Sequence, residues 1–373
     1  MKKFCVFVLF LMAFIPTIVF ANEDYKRIDV KIGPSVSVNE KLTLKSDSEF
    51  EIITADGLLN TKTRSNTLDV VFDGENININ SKVFTLNNFP KDGVLLINSK
   101  KPINVSKVNR KYKGAICFRI NNNKLDIVNN VDMENYLKGI LPKEMSPSFP
   151  IESLKAQALC SRSFAINNYN KMIKKGYNLD DSTSCQVYHG ASVETKSTNE
   201  AVESTANEVV KYDGKVASTI FGASSGGYIA SANEVWGGDN YPYLIAKEDP
   251  YSNYEWEYEL KESDIKKLKL YDVYDYKIEY SSDSNRISNI TFNTKNGEIK
   301  FKGNEFRSKI GNTKIKSTLF NINLNNGKIV VTGKGYGHGV GMSQYGAVEM
   351  AKKGFDYKKI IDFYFPGTEI DKY

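Results

Sequence analysis

Hydrophobic and polar residues alternate along most of the first third of the chain. The period-two pattern is visible in RIDVKIG, KLTLKS, LDVVFDG and INVSKV, and Gly, Asn and Asp residues separate these runs. Alternation of this kind, interrupted by turn residues, is typical of β-strands with one buried face. The pattern predicts β-strands from Tyr25 to about Asn130.

Helical spacing replaces the alternation in the next part of the chain. Apolar residues between Met133 and Ile140 recur at three- and four-residue steps, with Asp132 placed to cap this helix and Pro142 placed to end it. The run IESLKAQALCSRSFAINNYNKMIKKG follows Pro150 and predicts a long helix that ends at Gly176.

The C-terminal part of the chain combines β-strands, a glycine-rich loop and helices. Residues 255–325 have a β-rich pattern, and GKGYGHGVGMSQYG (333–346) leads into helices around 344–353 and 357–363. We therefore predict an α+β fold with a β-rich N-terminal region (22–110). A mixed domain (111–373) with a long central helix and a Gly-rich C-terminal loop follows it.

The first 21 residues predict export from the cytoplasm. Lys2 and Lys3 precede an apolar run from Phe4 to Phe20, which suits either a signal peptide or a retained N-terminal membrane anchor. The net charge of +6 falls to +4 without this segment, which carries two lysines. A mild positive excess suits an anionic polymer such as cell-wall material, and the lack of a long basic run argues against nucleic acid.

The cysteines do not form a disulfide framework in the predicted fold. Three of the four, Cys117, Cys160 and Cys185, lie beyond the leader, and an odd number leaves at least one thiol unpaired. Cys185 and His189 form a C-x3-H pair, which favours a zinc site only if Cys160 or His338 completes it, because structural zinc needs four ligands. A chance pair is the simpler interpretation.

Three stretches carry residues suited to chemistry. Glu144 lies in LPKEMSPSFP, where it is either a solvated surface acid or a catalytic carboxyl. FGASSGGY (221–228) predicts a tight turn with positive φ at Gly226 and Gly227, or a place where a polymer approaches the backbone. The 333–346 loop leaves few side chains except Tyr336 and His338, so it suits a groove for an extended sugar chain better than a phosphate loop.

Together these stretches resemble the stage II sporulation protein D and amidase-enhancer family of bacterial cell-wall proteins. The similar segments are VNNVDMENYLKGILPKEMSPSFPIESLKAQALCSRSFAI, CQVYHG, FGASSGGYIASANEVWGGDNYPYL, FKGNEFRSKIG and GYGHGVGMSQYGAVEMAKKG. The resemblance runs from about Lys113 to Ile370. Cys160, Cys185 and His189 depart from the usual family residues, and some relatives with Cys and His in this area bind zinc at the active site.

The resemblance implies a catalytic domain that acts as a lytic transglycosylase on glycan strands of peptidoglycan, with a preference for peptide-stripped strands. Glu144 is then the single acid and base, and it forms a 1,6-anhydro-muramyl end with no cofactor required. The residues that we expect to hold the sugar are Gln157, Arg162, Tyr188, Ser224, Ser225, Gly226, His338, Gln344 and Tyr345.

The implied setting is engulfment during endospore formation, in the envelope space between mother cell and forespore. The expected partners are a cell-wall amidase and a localising membrane protein. Two alternatives stay open: a non-catalytic wall-binding enhancer of an N-acetylmuramoyl-L-alanine amidase, and a zinc hydrolase built on Cys185 and His189.

Overall fold

The computed structural model describes residues 25–53, 60–80, 82–85, 95–238, 240–325 and 327–373. The predicted signal peptide or membrane anchor (1–21) lies outside the described residues. Within those ranges, no helix combines the length and the apolar character that crossing a bilayer requires. The chain has an α+β fold in which a β-rich N-terminal region precedes a mixed helical and β part.

The predicted N-terminal strands are present, because their alternating residues bury one face. Burial alternates strictly in several of them, as in Thr67–Phe72, where Leu68, Val70 and Phe72 point inward. The strands are β1 (Arg27–Lys31), β2 (Lys41–Lys45), β3 (Phe50–Ile53), β4 (Asn60–Lys62), β5 (Thr67–Phe72), β6 (Asn76–Ile79), β7 (Lys82–Thr85), β8 (Leu96–Ser99), β9 (Ile103–Val105), β10 (Arg110–Tyr112), β11 (Ala115–Asn121) and β12 (Lys124–Asp132).

Three helices follow: α1 (Met133–Lys138), α2 (Leu141–Glu144) and α3 (Ile151–Asn167). Asp132 caps α1 as predicted, since its side chain accepts the Asn135 N–H. The expectation that Pro142 ends a helix is wrong. Pro142 is the second residue of α2, where the missing N–H costs nothing.

The long helix is shorter than predicted. It ends at Asn167, and a separate 3₁₀ turn, Ile173–Lys175, ends at Gly176. After the helix, Asn178 donates its N–H to the Asp29 carbonyl, and the following strand β13 (Leu179–Asp180) pairs with β1. Pairing with a distant strand therefore positions the chain that follows the helix.

The N-terminal strands form two sheets that share one core. The first has seven strands in the order β13-β1-β12-β11-β8-β3-β4, and the second has six in the order β10-β9-β2-β5-β6-β7. A continuous hydrophobic cluster joins both sheets to buried residues of α1 and α3. Strands β11 and β12 lie after residue 110 and are central in the first sheet, so hydrogen bonding crosses the predicted boundary. The division of the chain into 22–110 and 111–373 stays a prediction.

The rest of the chain folds around α3 and ends beside it. A 3₁₀ turn spans Gly190–Val193. The remaining elements are α4 (Lys196–Ser204), β14 (Glu208–Tyr212), β15 (Lys215–Val216), β16 (Phe221–Gly222), β17 (Tyr228–Ile229), α5 (Ala232–Trp236), β18 (Lys247–Glu248), β19 (Glu255–Glu259), α6 (Glu262–Leu268), β20 (Val273–Tyr280), β21 (Ile287–Thr294), β22 (Gly297–Lys302), α7 (Gly303–Ile310), β23 (Phe320–Asn325), β24 (Lys328–Lys334), β25 (Met342–Ser343), α8 (Gln344–Lys352), α9 (Tyr357–Tyr364) and β26 (Glu369–Lys372).

Residues 255–331 form an inserted module with a hydrophobic core of its own. Two three-stranded sheets, β19-β24-β23 and β20-β21-β22, enclose this core together with α6 and α7. The module is inserted between the FGASSGGY and GYGHGVG segments, which pair with each other at its base. It can therefore hold both segments from one side.

A buried ion pair fixes α3 against its neighbours. The Arg162 side chain is fully buried, and it donates from Nε (3.0 Å) and Nη2 (2.6 Å) to the two carboxylate oxygens of Glu134 in α1. Its Nη1 donates to the Glu208 carbonyl (2.9 Å) and Nη2 also donates to the Val202 carbonyl (3.3 Å). One guanidinium thus joins α1, α3, α4 and β14.

We predict that Arg162→Met lowers the free energy of unfolding by about 3 kcal/mol, because it removes the cation paired with the buried side of Glu134 and leaves this carboxylate with the Asn207 N–H alone. Lys138→Met is the control: Lys138 pairs with the mostly exposed Glu203 carboxylate, and this loss should cost less than about 1 kcal/mol. Urea unfolding of both variants checks the difference. Equal costs would contradict the central role of Arg162.

Candidate active site

Glu144 lines a cleft at the junction of α2, α3 and the two glycine-rich segments. It is the last residue of α2, where Pro147 and Pro150 follow and the chain turns into α3. The cleft has a volume of about 650 Å³. Its lining residues are Glu144, Phe164, Asn168, Lys171, Thr183, Ser184, Cys185, Gln186, Val187, Ile220, Phe221, Trp236 and His338.

Burial raises the pKa of the Glu144 carboxyl above its ordinary value. Removal of solvent is the largest effect, because it disfavours the charged form. Two hydrogen bonds oppose it, one from the Val187 backbone and one from the Gln344 side chain, and both favour the carboxylate. Burial outweighs these contacts, so the carboxyl has a raised affinity for a proton, as a general acid requires.

The amide of Gln344 is itself oriented by a buried residue. Gln157, on α3, is fully buried and donates its Nε2 to Ser161 Oγ (3.1 Å). Its Oε1 is left to accept a hydrogen bond from Gln344 Nε2 (3.2 Å). An amide nitrogen carries two N–H groups, so Gln344 Nε2 can serve both Gln157 and Glu144. The chain of amides fixes which end of Gln344 faces the carboxylate.

His338 and Trp236 form an aromatic wall of the cleft. Their ring centroids lie 5.1 Å apart, and Trp236 is 54% exposed. His338 Nδ1 accepts the Val340 N–H (3.0 Å), so the proton of the neutral ring is on Nε2. Burial, assisted by the Arg286 charge, lowers the pKa of His338 to about 4. The imidazole is neutral at physiological pH and acts as a hydrogen-bonding wall residue.

The two glycine-rich segments lie against each other without side chains between them. Ser224 and Tyr336 exchange backbone hydrogen bonds of 3.0 and 2.9 Å. Gly226 has a φ of +74°, as predicted, and a Cβ there would lie 2.5 Å from Gly335 N. Glycine is required at this crossing because any side chain would force the segments apart.

Arg286 of the inserted module fastens these segments from behind. Its side chain is buried, and Nη2 donates to the carbonyls of Ser225 (2.7 Å) and Tyr228 (3.1 Å). A Cβ on Gly339 would lie 2.0 Å from Nη2, so the guanidinium packs directly on the glycine backbone. Burial lowers the pKa of Arg286 to about 10, and the group stays charged. The module thereby holds the loop that carries His338.

The structure brings only some of the predicted sugar-contacting residues to the cleft. Glu144 and His338 line it, and Gln344 lies beside Glu144. Gln157 lies behind Gln344 and supports it. Tyr345 is 42% exposed and stacks on Tyr254 outside the lining, with ring centroids 5.8 Å apart.

Four predicted contacts have structural partners instead, which corrects the expectation. Arg162 is buried in its ion pair with Glu134, and Tyr188 donates its hydroxyl to Asn129 Oδ1 (2.7 Å). Ser224 Oγ bonds Ser252 Oγ, and Ser225 donates to Asp249 Oδ2 (2.7 Å). Each of the four side chains is at most 2% exposed, so none reaches a ligand in the cleft.

The expected metal pair does not gather a ligand set. Cys185 lines the cleft, and burial raises the pKa of its thiol, which disfavours the metal-binding thiolate. His189 lies beside Arg110 and Lys143, whose charges lower its pKa further after burial. Among the described parts of the chain, no three His, Cys, Asp or Glu side chains form a group suited to a metal ion. The zinc site at Cys185 and His189 stays a hypothesis with two ligands.

Three residues at the site were missed in the sequence. Trp236 and Lys171 line the cleft from α5 and from the turn after α3, and Arg286 comes from a distant module. The sequence could have indicated Trp236, since this residue follows the SSGG segment in a stretch that is similar to the family. No local pattern indicated Lys171 or Arg286, because only the tertiary structure brings Lys171 to the cleft and Arg286 against the glycine-rich segments.

A larger cleft of about 820 Å³ lies on the inserted module. Its acids, Glu255 and Glu257, are exposed, and Glu255 pairs with Lys334 at 3.2 Å. It therefore offers no sheltered carboxyl, and we place the candidate chemistry in the smaller cleft at Glu144.

Two family models match the chain. Residues 121–212 match the stage II sporulation protein family, and residues 255–341 match a domain of unknown function. The first match contains Glu144, Gln157 and Lys171, and the second contains the whole inserted module and His338.

Curated relatives extend the similarity beyond the family models. An uncharacterised protein of Brachyspira hyodysenteriae is 36% identical over 70% of this chain and 73% of its own length. Stage II sporulation protein D of Bacillus subtilis is 32% identical over 66% of this chain and 76% of its own. The amidase enhancer of Bacillus subtilis is 31% identical to this chain. The aligned region covers 64% of this chain and 40% of that longer protein.

We predict that Glu144→Gln stabilises the folded protein at neutral pH. The raised pKa means that folding disfavours the ionised carboxyl, and an uncharged amide removes this cost. The gain should be full above the folded-state pKa and vanish below about pH 4, where the carboxyl is protonated in both states. Urea unfolding at pH 7 and pH 3.5 measures it, with the exposed Glu200→Gln as control. A gain that does not change with pH would contradict the assignment.

Proposed function

We infer the function from the premise that the chain belongs to the stage II sporulation protein D and amidase-enhancer family. We propose that it is a lytic transglycosylase that cleaves glycan strands of peptidoglycan, preferring strands whose stem peptides have been removed. One observation carries this proposal: Glu144 is a sheltered carboxyl with a raised pKa on the lining of a cleft.

The proposed reaction uses Glu144 first as an acid and then as a base. The protonated carboxyl donates its proton to the glycosidic oxygen as the bond from that oxygen to C1 breaks. The carbonyl of the 2-acetamido group stabilises the positive charge that develops at C1. The 6-hydroxyl of the same muramic acid ring then bonds to C1, and its proton returns to Glu144. The products are a 1,6-anhydro-muramyl end and a free 4-hydroxyl.

One carboxyl is enough for this chemistry because no water has to be activated. Hydrolytic glycosidases generally use a second carboxylate as base or nucleophile. Among the cleft-lining residues that the structure describes, Glu144 is the one Asp or Glu. The ring hydroxyl takes the place of the water, so the geometry suits an intramolecular closure better than hydrolysis.

The remaining lining residues suit a sugar ring. Trp236 offers an exposed aromatic face, and Phe221 and Phe164 add apolar surface around Glu144. The neutral His338 provides a polar wall without a competing charge. Apolar walls with few polar groups are typical of ligand sites, and they exclude water that would otherwise lower the pKa of Glu144.

The proposed setting is cell-wall remodelling during sporulation. One relative is named stage II sporulation protein D and another amidase enhancer. We propose that this chain works in the cell envelope during engulfment, held by its N-terminal segment or secreted, beside a cell-wall amidase and a localising membrane protein. The amidase would supply the stripped glycan on which Glu144 acts. No cofactor is required in this scheme.

The alternative proposal is a non-catalytic enhancer that binds the wall and stimulates an amidase. It is favoured by the similarity to the amidase enhancer, which is nearly as high as that to stage II sporulation protein D. The two proposals differ in one product: only a transglycosylase creates 1,6-anhydro ends.

We predict that Glu144→Gln reduces the release of anhydro-muropeptides from peptide-stripped glycan by about 10²- to 10⁴-fold, the usual contribution of general acid–base catalysis. Mass spectrometry of the products checks this, with Glu200→Gln as the matched surface control. If wild type forms no anhydro ends yet increases the rate of an added amidase, the enhancer proposal replaces the enzymatic one.

We also predict that Gln344→Leu shifts the pH dependence of cleavage. Loss of the Gln344 hydrogen bond removes a contact that favours the carboxylate, so the pKa of Glu144 rises further. The protonated, active form then persists to higher pH, and the alkaline limb of the rate profile should move upward. Gln344→Glu cannot replace Gln344→Leu in this test, since it adds a charge beside Glu144. A profile that only falls in height, without moving, would contradict the proposed contact.

A further inference from the structure

Lys171 is the one lysine or arginine among the described residues that line the Glu144 cleft. Phe164, Asn168 and Lys171 follow each other at the spacing of one helical face, from the end of α3 into the turn after it. The Lys171 side chain is exposed to solvent at the cleft rim. This cation lies on the same cleft lining as Glu144, on the side formed by Ser184.

The ammonium of Lys171 is held in place but not neutralised. Its Nζ donates to the Ser184 carbonyl, which is also on the cleft lining. Lys171 forms no ion pair within the described chain. The acid nearest in sequence across the turn, Asp180, accepts hydrogen bonds from Ser182 and Ser184 instead. Two of the three ammonium protons therefore stay available for a ligand.

We propose that Lys171 binds the free lactyl carboxylate of a peptide-stripped muramic acid residue and so selects stripped strands. The inference rests on the proposed function, because it assumes a muramic acid ring beside Glu144. Removal of a stem peptide converts an uncharged amide on the lactyl group into a carboxylate. That change creates an anion at the position where a bulky peptide was attached.

The charge pattern of the cleft supports this assignment. Glu144 is protonated in the active form, so it does not repel an anionic substrate, and His338 is neutral. Lys171 then supplies the unbalanced charge of the lining. A partly exposed ammonium–carboxylate contact is modest in water, and it becomes stronger as the bound glycan displaces solvent from the cleft. We expect a selectivity of about 5- to 20-fold.

The test pairs substrates that differ only in this charge. Peptide-stripped glycan strands are compared with the same strands after conversion of the lactyl carboxylates to methylamides. Binding is measured with full-length protein carrying Glu144→Gln, and cleavage is measured with Glu144 intact. Wild-type Lys171 should favour the carboxylate form about 5- to 20-fold in both measurements.

The variants separate recognition from folding. Lys171→Met should abolish the preference by weakening the carboxylate form alone, and Lys171→Arg should retain most of it. Lys174→Met is the matched control, because Lys174 is an exposed lysine on the same turn outside the cleft lining. The Lys174→Met variant should prefer the carboxylate form as strongly as wild type does.

Two results would overturn the proposal. Either Lys171→Met keeps the full preference, or it weakens both substrate forms equally. Failure of the proposed function is distinguished by the binding measurement: a protein that makes no anhydro ends but loses carboxylate preference in Lys171→Met still supports this inference. A protein that cleaves normally and binds both forms equally rejects the inference and leaves the function intact.

Discussion

The buried charge of Arg162 is the constraint on which the rest of the structure depends. A guanidinium with no exposed surface has to be paired, and Glu134, Glu208 and Val202 supply its acceptors from three different elements. These contacts fix α3 relative to α1. The short α2 follows α1 after two residues. The same contacts therefore help to position Glu144, at the end of α2, relative to α3.

Opposing electrostatic effects act on Glu144. Desolvation favours the protonated form, whereas Val187 and the Gln157–Gln344 pair favour the carboxylate. A group that gives up a proton and takes one back needs access to both forms, and neither effect alone would provide it. Burial alone would favour the protonated form, and donors alone would favour the carboxylate. The sheltered position and the oriented amide therefore have to occur together.

The cleft is built from parts of the chain that are far apart in sequence. Glu144 and Lys171 come from the helical region, while His338 comes from the glycine-rich loop after the inserted module. Arg286 reaches out of that module to hold the loop, and Gly339 provides the space for its guanidinium. A second cleft on the module is larger, but its acids are exposed. The module thus contributes to the site by positioning the glycine-rich loop that carries His338.

The sequence by itself determined the strands of the N-terminal region, the Asp132 cap, the positive φ of Gly226 and the α+β class, because each follows from periodicity or local backbone chemistry. It also singled out Glu144, although only through similarity to a family. The tertiary structure alone decided that α3 stops at Asn167, that Pro142 lies in the first turn of a helix, and that Arg162 and Tyr188 face the core. It alone placed Lys171 on the cleft lining and Arg286 against the glycine-rich segments. Strand pairing, burial of charge and approach between distant segments depend on contacts that no local pattern encodes.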